Sequence, residues 1–136
     1  PWQHVLDCLS GYLWLGVCLA KDESFAGAFN FGPEPESQRS VRELVENFLK
    51  HWPGEWKDSS DLDAPHEATT LNLSIEKVRR ELGWQPVWGF AAAVQRTADW
   101  YYQRHMVKTQ MLHELCLSQL ETYIADAASK STVWSQ

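Results

Sequence analysis

Ser74-Ile75-Glu76-Lys77-Val78-Arg79-Arg80-Glu81-Leu82-Gly83-Trp84-Gln85-Pro86 spells a short helix with a hard stop. Ser74 stands at the N-cap, with Lys77 where a capping-box Glu would sit. Val78 and Leu82, four residues apart, form the buried seam. Gly83 suits the left-handed residue that closes a helix. Pro86 pushes Gln85 away from helical angles, so the chain leaves extended. Downstream, Phe90 to about His105 reads as a long helix, with Phe90, Ala93, Val94, Thr97, Ala98 and Tyr101 on one face. A last helix, about Thr109 to Ala127, places Leu112, Leu115, Leu120 and Ile124 inward. Lys130 to Gln136 reads as a frayed tail.

Upstream, Val5 to Ala20 has helical periodicity. Val5, Leu6, Leu9, Leu13, Val17 and Ala20 share one side, with Asp7 and Ser10 on the other. Ala28-Phe29-Asn30-Phe31 is short and aromatic, bounded by Gly27 and by Gly32-Pro33, which marks a strand. Ser40 followed by Glu43 forms a capping box, opening a helix on Val41, Leu44, Val45, Phe48 and Leu49 that Pro53-Gly54 stops. Trp56 falls on a short strand, residues 58 to 67 form an acidic loop, and Leu71-Asn72-Leu73 alternates like a strand. The expected fold class is therefore α+β, a mostly helical small domain of about five helices and two or three short strands. Residues 1–128 form the domain and 129–136 a flexible tail.

With 136 residues the chain suits one domain, and roughly two thirds of the unfolded surface is buried at that size. Apolar residues at 44% and charged ones at 22% are near globular averages, which sets disorder aside. A net charge of −6 argues against nucleic acid or an anionic membrane as partner, since both need clustered Lys and Arg. The uncharged stretch Cys8 to Ala20 is too short to span a bilayer, and no basic segment precedes it as in a signal peptide. Cys8, Cys18 and Cys116 form an odd set without C-x-x-C spacing, which fits free thiols in a reducing cytoplasm.

Several stretches resemble the CDP-glucose 4,6-dehydratases, a branch of the extended short-chain dehydrogenase superfamily. The narrow ones are Pro1-Trp2-Gln3-His4-Val5-Leu6-Asp7 and Pro65-His66-Glu67-Ala68. Broader ones are Phe25 to Pro33, Glu81-Leu82-Gly83-Trp84-Gln85-Pro86, Thr97-Ala98-Asp99-Trp100-Tyr101 and Leu117 to Tyr123. In that family an N-terminal Rossmann domain binds NAD and carries the catalytic residues, and a smaller C-terminal domain closes over the nucleotide sugar. This chain is similar to the closing domain. The Arg that the family pattern places before Pro1 is not in this sequence. Pro1 opens in a stretch that reads as structured, which fits a domain excised from a larger gene or a short frame after Met removal.

No catalytic set is expected. Gly11, Gly16, Gly27 and Gly32 form no dinucleotide-binding fingerprint. Tyr12, Tyr101, Tyr102 and Tyr123 lack the Lys four residues on that completes Tyr-x-x-x-Lys. No cofactor of its own is expected, NAD belonging to the parent family. The resemblance implies that Trp2, Gln3, His4, His66 and Glu67 line a vestigial sugar-nucleotide site; each also reads as a residue that packs or bonds locally. Asp58, Asp61, Asp63, His66 and Glu67 miss the calcium-loop pattern, which needs Gly sixth and Glu twelfth. His113 and Cys116 lie three apart without a second ligand pair, so no metal is expected.

The sequence thus implies a truncated, catalytically inactive C-terminal domain. It self-associates through the face that would cover the Rossmann domain. The alternative is a weak CDP-sugar-binding module, or a split subunit needing a separate NAD-binding half.

Overall fold

Residues Trp84 to Gly89 set the architecture, because an irregular stretch has been driven into the interior. The computed structural model describes residues 1–59, 72–106 and 111–136. Within it Trp84 and Val87 are fully buried and Trp88 nearly so. The described residues form five helices: α1 (Val5–Lys21), α2 (Val41–Phe48), α3 (Glu76–Leu82), α4 (Phe90–Met106) and α5 (Leu112–Ser129). Two single 3-10 turns, Glu23–Phe25 and Pro35–Ser37, link α1 to α2. One apolar cluster gathers Cys18, Phe31, Ile75, Val78, Leu82 and Trp84; a second gathers Val87, Trp88, Tyr123 and Ala127. Trp134 packs against both, stacked on Tyr123 with ring centroids 5.7 Å apart.

Helix ends follow the local chemistry. Ser40 Oγ accepts from the Glu43 amide while Glu43 accepts from the Ser40 amide, closing the expected capping box of α2. Gly83 stops α3 at φ 66, a conformation open to glycine. Ser74 does not cap α3. Ile75 holds that place without a side-chain cap, and the Ser74 carbonyl accepts from Asn30 Nδ2. Ser37, far away in sequence, reaches the start of α4, its Oγ accepting from the Phe90 amide at 3.1 Å.

The α+β expectation is overturned, since the described residues contain no strand and the fold is all helical. Ala28–Phe31 makes no ladder, and Asn30 Nδ2 reaches the Ser74 carbonyl at 3.4 Å. Two carbonyls of Ala28–Phe31 are taken by side chains instead: Lys77 Nζ donates to Ala28 O, and Gln3 Nε2 to Phe31 O. Backbone groups satisfied in this way have no need of a partner strand. Trp56 and the Asn72-Leu73 part of the third expected strand are also irregular, while Leu71 lies outside the described residues. Among the described residues no helix is long and apolar enough to cross a membrane.

The orientation of α1 is the main surprise. Asp7, Ser10, Gly11 and Cys18 face inward, whereas Val5, Leu9, Leu13 and Val17 face out, Leu13 being 74% exposed. Gly11 explains part of this. A Cβ there would sit 2.1 Å from Phe31 Cδ1, so the helix offers its bare backbone to the Phe31 ring. The interior stretch at 87–88 explains the rest, through its need for hydrogen-bond acceptors. On α5 a similar correction applies: Tyr123 and Ala127 point inward, while Leu120 and Ile124 are exposed.

Candidate functional site

A buried carboxylate lies at the centre of the molecule. Asp7, fully buried on the first turn of α1, accepts through Oδ1 from the Val87 amide at 2.6 Å. Its Oδ2 lies 3.4 Å from the Trp88 amide. Those two amides belong to an interior stretch outside any helix, where an unpaired N–H is costly. The Tyr123 hydroxyl sits 2.9 Å from Asp7 Oδ1 and 3.0 Å from Ser10 Oγ, and Trp84 Nε1 donates to Ser10 Oγ at 3.1 Å. Lys130 Nζ donates to the Val87 carbonyl. Burial pushes the Asp7 pKa up, opposed by the Val87 and Tyr123 hydrogen bonds. Burial, then the Asp7 charge, pushes Tyr123 well above its usual value.

His4 caps α1 from just outside. Its Nδ1 accepts from the Leu6 amide at 3.2 Å, and its ring meets Trp88 edge-on at 4.6 Å. Burial, with Arg96 nearby, lowers its pKa to about 4. A histidine with a lowered folded-state pKa contributes stability that is full above its unfolded value near 6.5 and is lost progressively as pH falls from there to about 4. Asp7, with a raised value, has the opposite sign: its contribution is present in acid and lost as pH rises through its folded value. A variant separates the two. Between pH 7 and pH 5, wild type should lose about 2 kcal/mol more than His4→Asn, which keeps a capping acceptor but does not titrate. Urea melts at both pH values check this, and equal losses would contradict it.

Trp2 and Gln3 sit on the surface side of this centre. Trp2 Nε1 donates to the Arg39 carbonyl at 2.8 Å, fixing the indole against the chain entering α2. Gln3 Nε2 donates to Phe31 O at 3.1 Å, and its Oε1 is buried without a hydrogen-bond partner. Between this segment and helices α2 and α4 lies a cleft of about 430 Å3, walled by Trp2, Leu44, Phe48, Val94 and Thr97. A second opening of about 500 Å3 lies between the same segment, α4 and α5, reaching Trp100 and Cys116. Gln3 and Thr97 border both.

No protein-family model matches the chain. Over 104 residues it is 35% identical to the CDP-glucose 4,6-dehydratase of Salmonella typhimurium. That match takes 74% of this chain and 29% of the dehydratase, so the chain spans under a third of its relative's length. The likeness to the dehydratase is a partial homology, of the kind a fragment shows.

Of the residues that the dehydratase resemblance singled out, the structure brings Trp2 and Gln3 to the first cleft and Gln3 and His4 to the second opening, His4 being buried. His66 and Glu67 lie outside the described residues. Neither Asp7 nor the α2 and α4 walls of the cleft were singled out from the sequence. A lone acid on an otherwise apolar helix was the available signal for Asp7, since such a group is buried only with partners. The cleft had no local signal, because its walls come from three separate parts of the chain. Among the described residues no three His, Cys, Asp or Glu side chains gather as a metal site. Cys116 is exposed on α5.

Proposed function

We propose that the chain is a nucleotide-sugar dehydratase-related domain, corresponding to the closing C-terminal domain, that has no catalysis of its own and self-associates. The observation carrying the self-association is the outward face of α1. Val5, Leu9, Leu13 and Val17 line it with Tyr12, all exposed. A helix that is apolar on most sides belongs in an interior, and this one has half its girth in water. From Leu9 to Ala20 the helix bears no charge, so two copies meet there without like-charge repulsion. A Cβ at Gly16 would meet nothing, which leaves room for a second helix to approach closely. The proposal of catalytic inactivity is supported by the partial span of the match and by the missing Tyr-x-x-x-Lys pair.

Sedimentation across a wide concentration range tests the association. Wild type is expected to move from monomer to a dimer or larger as concentration rises. Leu9→Glu/Leu13→Glu, altered only on the exposed face, should stay monomeric with an unchanged helical spectrum. A wild-type monomer at every concentration would remove the proposal.

A second reading is favoured by one specific feature, the cleft beside Trp2 and Gln3. In it the chain is a weak CDP-sugar-binding module, or a split subunit completed by a separate NAD-binding half. One wall of a two-domain cleft leaves affinity near millimolar, about −4 kcal/mol.

A further inference from the structure

We infer that residues 130–136, the segment following α5, are a hinged clasp that seals the Asp7–Val87–Tyr123 centre from water and opens as one unit while the helices stay folded. The inference concerns the interior alone and is independent of self-association and of sugar-nucleotide binding.

The segment grips the centre at several points. Lys130 Nζ donates to the Val87 carbonyl, on the residue whose amide Asp7 already holds. Thr132 is fully buried, and its amide turns back to the Ala127 carbonyl at 3.2 Å. Trp134 packs against the cluster of Val87, Trp88, Tyr123 and Ala127, its ring stacked on Tyr123. Tyr123 in turn carries the hydroxyl bonded to Asp7. Val133 lies against the end of α3, where a Cβ on Gly83 would sit 3.0 Å from Val133 Cγ1. The closed segment thus lays apolar cover over a carboxylate and the interior amide it holds, groups that are costly to leave half-hydrated.

The same segment is built to come away. Among the described residues its backbone hydrogen bonds run only to α5 or within itself. The Lys130 amide donates to Asp126 O and Ala127 O, Ser131 to Ala128 O, Thr132 to Ala127 O and Ser135 to Thr132 O. Releasing it therefore breaks no backbone bond to α1, α3 or α4. Ser131, at φ 53, is the one non-glycine residue with a positive φ among the described residues, which places a strained hinge directly after α5. Trp134 Nε1 is buried without a hydrogen-bond partner and regains one from water when the clasp opens. Strain and an orphaned donor both lower the cost of opening. Thr132 and Trp134, the packed residues that flank Val133, tie the segment into one unit.

The test is amide hydrogen exchange of the full chain, followed by NMR at rising urea below the unfolding transition. The Thr132, Ser135 and Val87 amides should share one opening constant within about threefold, and that constant should rise little with urea. Ala98, fully buried in α4, should open at least about tenfold less often and with the steep urea dependence of global unfolding. Trp134→Ala, checked for a native helical spectrum, should speed Val87 exchange about tenfold. Trp134→Phe, which keeps a ring on Tyr123 and lacks the orphaned donor, serves if the alanine variant does not fold, and should slow Val87 exchange. A Val87 amide that follows Ala98 in protection and urea dependence would overturn the inference, because the segment would then fray without unsealing the centre. Different opening constants at Thr132 and Ser135 would overturn the single unit. Val87 exchange unchanged in whichever Trp134 variant folds would remove the clasp altogether.

Discussion

Trp84→Ala is expected to cost about 3–5 kcal/mol of folding stability. Trp84 is the largest fully buried side chain and belongs to the cluster of Phe31, Ile75, Val78 and Leu82. Phe31 meets its ring edge-on at 5.1 Å. Truncation removes that packing and leaves a hole between α1 and α3 that neighbours held by helices fill poorly. It also deprives Ser10 Oγ of a donor. A domain of this size has only about 5–15 kcal/mol in total, so the variant should melt at far lower urea or lose its cooperative transition. Trp84→Phe, which keeps an aromatic ring, should lose less. A Trp84→Ala loss under about 1 kcal/mol would mean that the indole is not the centre of the core.

Asp7→Ala should be nearly as damaging, at about 3–5 kcal/mol, although the wild-type carboxylate is itself costly to bury. The reason is what remains behind. The Val87 and Trp88 amides keep their buried positions, and the Tyr123 hydroxyl loses its carboxylate partner. Each orphaned donor forfeits the hydration it had in the unfolded chain. Asp7→Asn keeps an oxygen for Val87 and Tyr123 but turns an amide NH2 toward the Trp88 N–H, so a smaller loss is expected. Asp7→Ala and Tyr123→Phe share a network, and their combined effect should fall short of the sum. Full additivity in urea melts would show that the two groups do not interact.

The comparison of sequence and structure turns on where hydrogen bonds go. Helix extents were legible in α1 and α4 because their apolar periodicity is long, and the start of α2 because Ser40 and Glu43 form a local motif. Gly83 closed α3 as its lack of a Cβ suggests. The expected strand at Ala28–Phe31 does not form: the Ala28 and Phe31 carbonyls are taken by Lys77 and Gln3, one from α3 and one from the other end of the chain, which no local pattern shows. The inward face of α1 was read backwards for the same kind of reason. Spacing put the apolar side inside, but the buried amides at 87 and 88 required a carboxylate, and the helix turned to supply it. The resemblance to the dehydratases points to Trp2 and Gln3, which border the cleft; its Leu44, Phe48 and Thr97 walls depend on tertiary packing that no local pattern encodes.

The most direct measurement is thiol reactivity along α1. Leu13→Cys can be compared with native Cys18 in chains where the other cysteines are replaced by Ser. Cys18 is buried and residue 13 is the most exposed apolar position on the helix. At low concentration the account predicts fast labelling at position 13 and slow labelling of Cys18. Labelling at position 13 should then slow as concentration rises and a second copy covers the face. Slow labelling at position 13 at every concentration, with fast reaction of Cys18, would show that the apolar side of α1 is inside and contradict the account.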